Sequence, residues 1–206
     1  MKVLVIGATG LTGTHLVRKL LARGDEVTAL VRTPSSYDVK HDRLHVIQGE
    51  ARDPASLERA CANQDAVISA FGPRTLKKDD IQEVFMKNLV TTMEKTGVKR
   101  LINLSAWGAG DSIHHSNWFM KLFFALVLKN LYADKNRGEL HLLASSLDYV
   151  NVRPGRLTNG RARGSVRAVS EPNGVQPWLT REDLADFMIS QLSEDMWIRK
   201  SPLIGY

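Results

Sequence analysis

The sequence predicts an α/β fold of the doubly wound class, a parallel sheet with helices on both faces. An apolar run at the amino terminus enters a glycine-rich turn, and short apolar runs then alternate with stretches of helical period along the chain. Strand–helix alternation of this kind implies a parallel sheet covered on both faces. The 206 residues suffice for one well-buried core and are short for two, so residues 1–206 are read as a single domain.

Lys2 to Ile6 reads as the first strand, and Thr14 to Ala22 as the helix it feeds, closed by the C-cap signal Arg23-Gly24. Glu26 to Val31 and Leu44 to Gln48 follow as strands. Asp53-Pro54 sets a capping acid before a proline at the first helical position, which makes Pro54 to Ala62 a helix. Ala66 to Ala70 is the fourth strand, Asp80 to Lys95 a helix and Arg100 to Leu104 the fifth strand. A long helical stretch then runs from about Asn117 to Ala144, before a strand over Tyr149 to Val152. From Arg153 the pattern loosens into RPGRLTNGRARGSVRAV until Thr180 to Leu192 resumes as a helix. Loops of such folds carry the substrate site, expected here mainly in residues 105–135 and 153–180. Within the first of these, Trp118 to Leu128 (WFMKLFFALVL) is too short to span a bilayer. It reads as a buried or subunit-facing helix, a lid over the substrate, or a membrane-surface segment, and such an apolar face allows self-association as a homodimer.

Hydrophobic residues at 43% and charged residues at 24% match an ordinary globular protein and exclude disorder and a membrane span. The formal charge of +6 invites a nucleic-acid reading. Against it, basic residues are scattered apart from Arg153, Arg156, Arg161, Arg163 and Arg167, and no zinc-finger or RNA-recognition pattern accompanies them. We therefore expect no nucleic-acid partner. The single cysteine, Cys61, excludes an intrachain disulfide, and the chain opens on a core strand rather than a signal peptide, so a cytoplasmic address is expected. His114-His115 lack carboxylate or thiolate partners at ligand spacing, and no metal is expected.

Strand, glycine turn and helix in the order MKVLVIGATGLTG form a dinucleotide-binding opening, in which Gly7, Gly10 and Gly13 let backbone N–H groups approach a pyrophosphate. Thr9 and Thr12 place hydroxyls in the same loop, beside Leu11. The second strand ends at Arg32, where a site selective for NAD offers a carboxylate to the ribose; a guanidinium suits the extra 2′-phosphate of NADP(H) instead. After the third strand, Glu50 and Ala51 lie where the adenine is expected, with Asp53 as the helix cap. After the fourth, Ala70, Phe71 and Gly72 form a turn where the ribose and pyrophosphate are expected, and Arg74 reads either as a phosphate contact or as a surface charge.

GATGLTG, SAFG, NLSAWG and NVRPGRLTNG together resemble the atypical short-chain dehydrogenase/reductase superfamily over essentially the whole chain. The likeness is to compact NAD(P)H-binding proteins such as the biliverdin-IXβ reductase/flavin reductase group, and to NmrA-like proteins. It implies a Rossmann fold and NADP(H), with NAD(H) the lesser cofactor. Gly7, Thr9, Gly10, Thr12 and Gly13 match the pyrophosphate loop, Arg32 the 2′-phosphate arginine, and Glu50-Ala51 an Asp-Val pair beside the adenine. Ala70, Phe71, Gly72 and Arg74 match the turn after strand four, and Pro154, Gly155 and Arg156 the segment beside the nicotinamide. Two residues match catalytic positions, Ser105 near the nicotinamide and Lys135 near the ribose.

The superfamily's catalytic pair is Tyr-x-x-x-Lys, whereas here Tyr132 precedes Lys135 by three residues and Leu131 fills the tyrosine's position. One residue out of register turns Tyr132 by about 100° around the helix, away from the pocket Lys135 faces. Loss of the tyrosine acid fits reduction of a planar small-molecule acceptor such as a flavin or quinone, for which positioning against the nicotinamide suffices. Walls for such an acceptor are expected from Phe71, Trp107, Trp118, Phe119 and Trp178. The alternatives are a non-catalytic NADP(H)-binding redox sensor similar to NmrA-like regulators and, third, a sugar-nucleotide epimerase or isomerase.

Overall fold

The computed structural model describes residues 1–72, 80–115 and 128–206. Ten strands are present among these residues: β1 (Lys2–Ile6), β2 (Glu26–Val31), β3 (Leu44–Gln48), β4 (Ala66–Ser69), β5 (Arg100–Leu104), β6 (Asp148–Pro154), β7 (Arg156–Thr158), β8 (Arg167–Val169), β9 (Trp178–Thr180) and β10 (Leu203–Gly205). The helices are α1 (Leu11–Arg23), α2 (Pro54–Cys61), α3 (Ile81–Thr96), α4 (Lys129–Leu143) and α5 (Arg181–Ser190). The main sheet has the order β3-β2-β1-β4-β5-β6-β10-β8, parallel throughout except for the β10–β8 pair. This is the Rossmann-like, doubly wound architecture expected, and its order reverses between β1 and β4, where such sheets open a crevice for ligands.

Alternation along β1 shows how the apolar strands divide between two cores. Val3 and Val5 face Leu16, Val17 and Leu20 of α1 and Leu184 and Met188 of α5, while Leu4 and Ile6 face Leu57 of α2, Phe85 and Leu89 of α3 and Leu142 of α4. These side chains are almost wholly withdrawn from water, each contributing roughly 1.5–3 kcal/mol of burial. Cys61 belongs to the second core, and burial pushes its thiol up to about 12, so it is inert packing.

Several boundaries differ from expectation. The first helix begins at Leu11, three residues before Thr14, so Gly13 lies inside its first turn. The fourth strand stops at Ser69, whereas the sixth extends in both directions to Asp148 and Pro154. The segment after Arg153 contributes β7, β8 and β9 rather than loop alone, and β10 joins the sheet beside β6. The stretch expected to run as one helix to Ala144 ends at Leu143, with Leu128 as its N-cap in the described part. Trp118 and Phe119 lie outside the described residues, as does Arg74.

Among the described residues no helix is long and apolar enough to cross a membrane, and no three His, Cys, Asp or Glu side chains cluster as a metal site. A depression of 530 Å³ opens at the amino ends of β5 and β6, lined by Asp65, Lys99, Arg100 and Asp148. It lies at the opposite edge of the sheet from the glycine turn.

Candidate functional site

The glycine turn joins β1 to α1 at the switch point of the sheet. Gly7 has φ +85°, a left-handed backbone that a side chain disfavours, and a Cβ there would stand 2.6 Å from the Ala70 carbonyl oxygen. A Cβ on Gly13 would meet the Gly7 carbonyl oxygen at 2.0 Å, so the missing side chain brings α1 against the turn. Gly10 is the N-cap: its N–H donates to Gly7 O at 2.9 Å, no side chain caps the helix, and no acid occupies the first turn. The first amides of α1 and its positive dipole end are thus left for an anion. Thr9 and Leu11 are exposed at the rim, whereas Thr12 is buried.

Arg32 follows β2 directly, exposed and without an ion pair among the described residues. Gly49, just past β3, donates to Val31 O at 3.1 Å, which brings Glu50 and Ala51 alongside the Arg32 corner. Glu50 is exposed, while Ala51 packs on the second core. Asp53 caps α2 as expected, accepting from the Ser56 amide at 2.9 Å and its hydroxyl at 2.6 Å. After β4, the Ala70 amide donates to Ile6 O at 2.8 Å, and Phe71 packs on Phe85 with ring centroids 4.4 Å apart. Phe71 is thus anchored in the core beside exposed Gly72.

The carboxyl ends of β5 and β6 hold a buried polar network. The Ser105 hydroxyl donates to Glu139 Oε1, which also accepts from Asn151 Nδ2 at 2.9 Å. Glu139 Oε2 pairs with Arg153 Nη2 at 2.7 Å, both side chains being 4% exposed, and Arg153 reaches Asp111 through its other nitrogen. Asn103 donates to Asn151 at 2.8 Å. Arg153, the first residue of the basic cluster, is therefore interior, unlike exposed Arg156, Arg161, Arg163 and Arg167. Glu139 and Asn151 were not picked out from the sequence, although Glu139 stands one helical turn beyond Lys135, on the same face.

Lys135 is partly buried on α4 and makes no hydrogen bond among the described residues; burial lowers its pKa, against the opposing fields of Glu139 and Asp134. Tyr132 donates its hydroxyl to the Trp107 carbonyl at 2.9 Å, and burial raises its pKa to about 12. Trp107 in turn donates its amide to Pro154 O at 2.8 Å, so the loops after β5 and β6 are tied together beside Ser105. A Cβ on Gly155 would stand 2.1 Å from Pro177 O, and the Arg156 amide donates to that same oxygen at 2.8 Å, leaving its guanidinium exposed.

Close backbone approaches at Gly7 and Gly13, an uncapped helix end and an arginine at the tip of β2 with no ion pair among the described residues fit a dinucleotide with a 2′-phosphate. The family model for NAD(P)H-binding proteins matches residues 7–195. The chain is 25% identical to a sanguinarine reductase from Eschscholzia californica, over 93% of this chain and 84% of that one. It spans 35% and 65% of the length of two other curated relatives. Its fold is similar to that of ChuY, an anaerobillin reductase from Escherichia coli O157:H7, at a TM-score of 0.84 and 22% identity over 100% of this chain and 97% of that one. It is also similar to a short-chain dehydrogenase/reductase from Veillonella parvula crystallised with NADP, at 0.80 and 20% identity over 100% and 94%.

Proposed function

The chain belongs to the NAD(P)H-binding family, and from that membership we propose that it is an NADPH-dependent reductase acting on a planar acceptor such as a flavin or quinone. The observation that carries this reading is the engagement of the hydroxyls beside the expected nicotinamide position: Ser105 donates to Glu139 and Tyr132 to the Trp107 carbonyl. A carbonyl reductase needs a hydroxyl acid aimed at its substrate, whereas a flavin or quinone needs chiefly a flat, well-placed contact.

Arg32 would hold the 2′-phosphate, the first amides of α1 the pyrophosphate, and Pro154 and Gly155 the nicotinamide, which would supply the hydride. Ser105, its hydroxyl hydrogen engaged in the bond to Glu139, has lone pairs left to accept from an N–H group. Lys135 would bond the ribose hydroxyls of the cofactor, and solvent supplies the proton to the reduced acceptor. The buried Cys61 fits a reducing compartment, the cytoplasm in this reading.

The test is NADPH oxidation against a panel of flavins and quinones, with cofactor binding measured separately. Acceptor-dependent turnover is expected; binding of NADPH with no turnover across the panel replaces this reading with that of a redox sensor. Arg32→Ala should weaken NADPH binding by about tenfold to a hundredfold and leave NADH within about twofold. Equal losses for both would remove the 2′-phosphate role.

A further inference from the structure

Charge is unevenly placed along this chain. Residues 153–181 contain six of its 28 Lys and Arg residues and one of its 22 Asp and Glu residues, so this stretch holds nearly all of the formal +6. Arg153 is spent internally on Glu139 and Asp111. Arg167 and Arg181 turn to neutral oxygens, the Gly174 carbonyl at 2.6 Å and the Asn159 side chain at 2.7 Å.

Two of the remaining arginines share one aromatic side chain. Arg156 on β7 is the register partner of Trp178 on β9, and paired residues of neighbouring strands project to the same face. Arg163 stacks its guanidinium carbon 4.4 Å from the centre of the Trp178 ring and 5.0 Å from that of Tyr206. Its backbone is fixed independently, since the Arg163 and Gly164 amides donate to Asp183 at 2.8 and 2.9 Å. A stacked guanidinium is held by its face and presents its N–H edge outward. Both side chains are exposed, and neither makes an ion pair among the described residues. Arg156 is also two residues from Pro154, whose carbonyl accepts the Trp107 amide, so the pair borders the loops around Ser105.

We propose that Arg156 and Arg163, arranged about Trp178, form an anion subsite for the acceptor, so that the physiological acceptor is a planar molecule bearing a carboxylate or phosphate. Two planar forks can meet such a group bidentately, and the Trp178 ring gives the adjoining part of the acceptor an apolar surface. The inference rests on the reading of this chain as a reductase of planar acceptors, and it specifies which of them the site selects.

FMN and riboflavin share one ring system and differ by a phosphate, and a sulfonated naphthoquinone and its unsubstituted parent form a second such pair. Binding is measured by fluorescence or difference absorbance on protein saturated with NADP, which keeps Arg32 and the α1 amides from capturing the anion. FMN should bind about tenfold more tightly than riboflavin at low salt, and R156Q and R163Q should each remove most of that advantage without weakening riboflavin. R167Q, with the same charge change in the same stretch, should leave the advantage intact. Equal binding within both pairs, absence of binding by both anionic probes, or an equal effect of R167Q would overturn the subsite. Anion-selective binding without NADPH oxidation keeps the subsite and overturns the reductase reading.

Discussion

At the scale of single residues, Glu139 has the most exacting surroundings in the molecule. Its carboxylate accepts from Ser105 and Asn151 and pairs with Arg153 in a place almost closed to water. Removing one partner of a buried pair leaves the other charge uncompensated, because only an exposed Asp111 remains to Arg153. Glu139→Gln should therefore destabilise the protein by about 3 kcal/mol in urea unfolding, and the double change Glu139→Leu with Arg153→Met should recover much of that loss. A loss below about 1 kcal/mol in the single variant would mean that the pair contributes little. Gly7 and Gly13 of the turn are legible in the sequence because each removes a specific Cβ clash. Glu139 is not legible in the same way: its partners come from β6 and the loop after β5, contacts that only the folded sheet creates.

At the scale of elements, α5 and the carboxyl terminus explain why the segment after Arg153 holds together although it reads as loop. Thr180 caps α5, and Asp183 in its first turn gathers donors from Tyr206, Thr180, Arg163 and Gly164. Burial works to raise the Asp183 pKa, but the hydrogen bond from Tyr206, the amides of Arg163 and Gly164 and the Thr180 hydroxyl prevail and hold it at about 2. A carboxyl whose folded pKa is depressed contributes stability that is present above its unfolded value near 4 and is lost as pH falls towards 2. The difference in unfolding free energy between the wild type and Asp183→Asn should therefore shrink by about 2 kcal/mol from about pH 5 to about pH 2. A difference that stays constant with pH would show that the unfolded chain holds this carboxyl equally well. Helix ends marked by Asp53-Pro54 and Gly24 are readable from local chemistry. The three-residue strands β7 to β10 are not, since too few residues lie in each for a period to emerge and their pairing is entirely long-range.

At the scale of the whole molecule, the strand order places the described strand ends of the expected cofactor site on one edge. The glycine turn follows β1, Arg32 follows β2, Glu50 lies past β3, Ala70 follows β4, Ser105 follows β5, and Pro154 ends β6. Alternating apolar runs and helical periods disclose the fold class because both faces of the sheet must be covered, but the sequence carries no local sign of which strand lies beside which. A ligand that contacted all six strand ends would have its site only when the sheet is assembled, so its binding free energy would add directly to the global unfolding free energy. NADPH at about a hundred times its dissociation constant should then raise stability by about 2.7 kcal/mol, which for a chain of this size moves the thermal midpoint by about 5–10 °C. The transition should remain a single step, because α1 and α5 are joined by Lys19, 2.8 Å from Asp186 and 3.5 Å from Glu182, and pack in one core with β1 and β6. A scan in which NADPH shifts only part of the transition would contradict that coupling and show that the half of the sheet carrying β5, β6 and β10 unfolds apart from the half carrying the glycine turn.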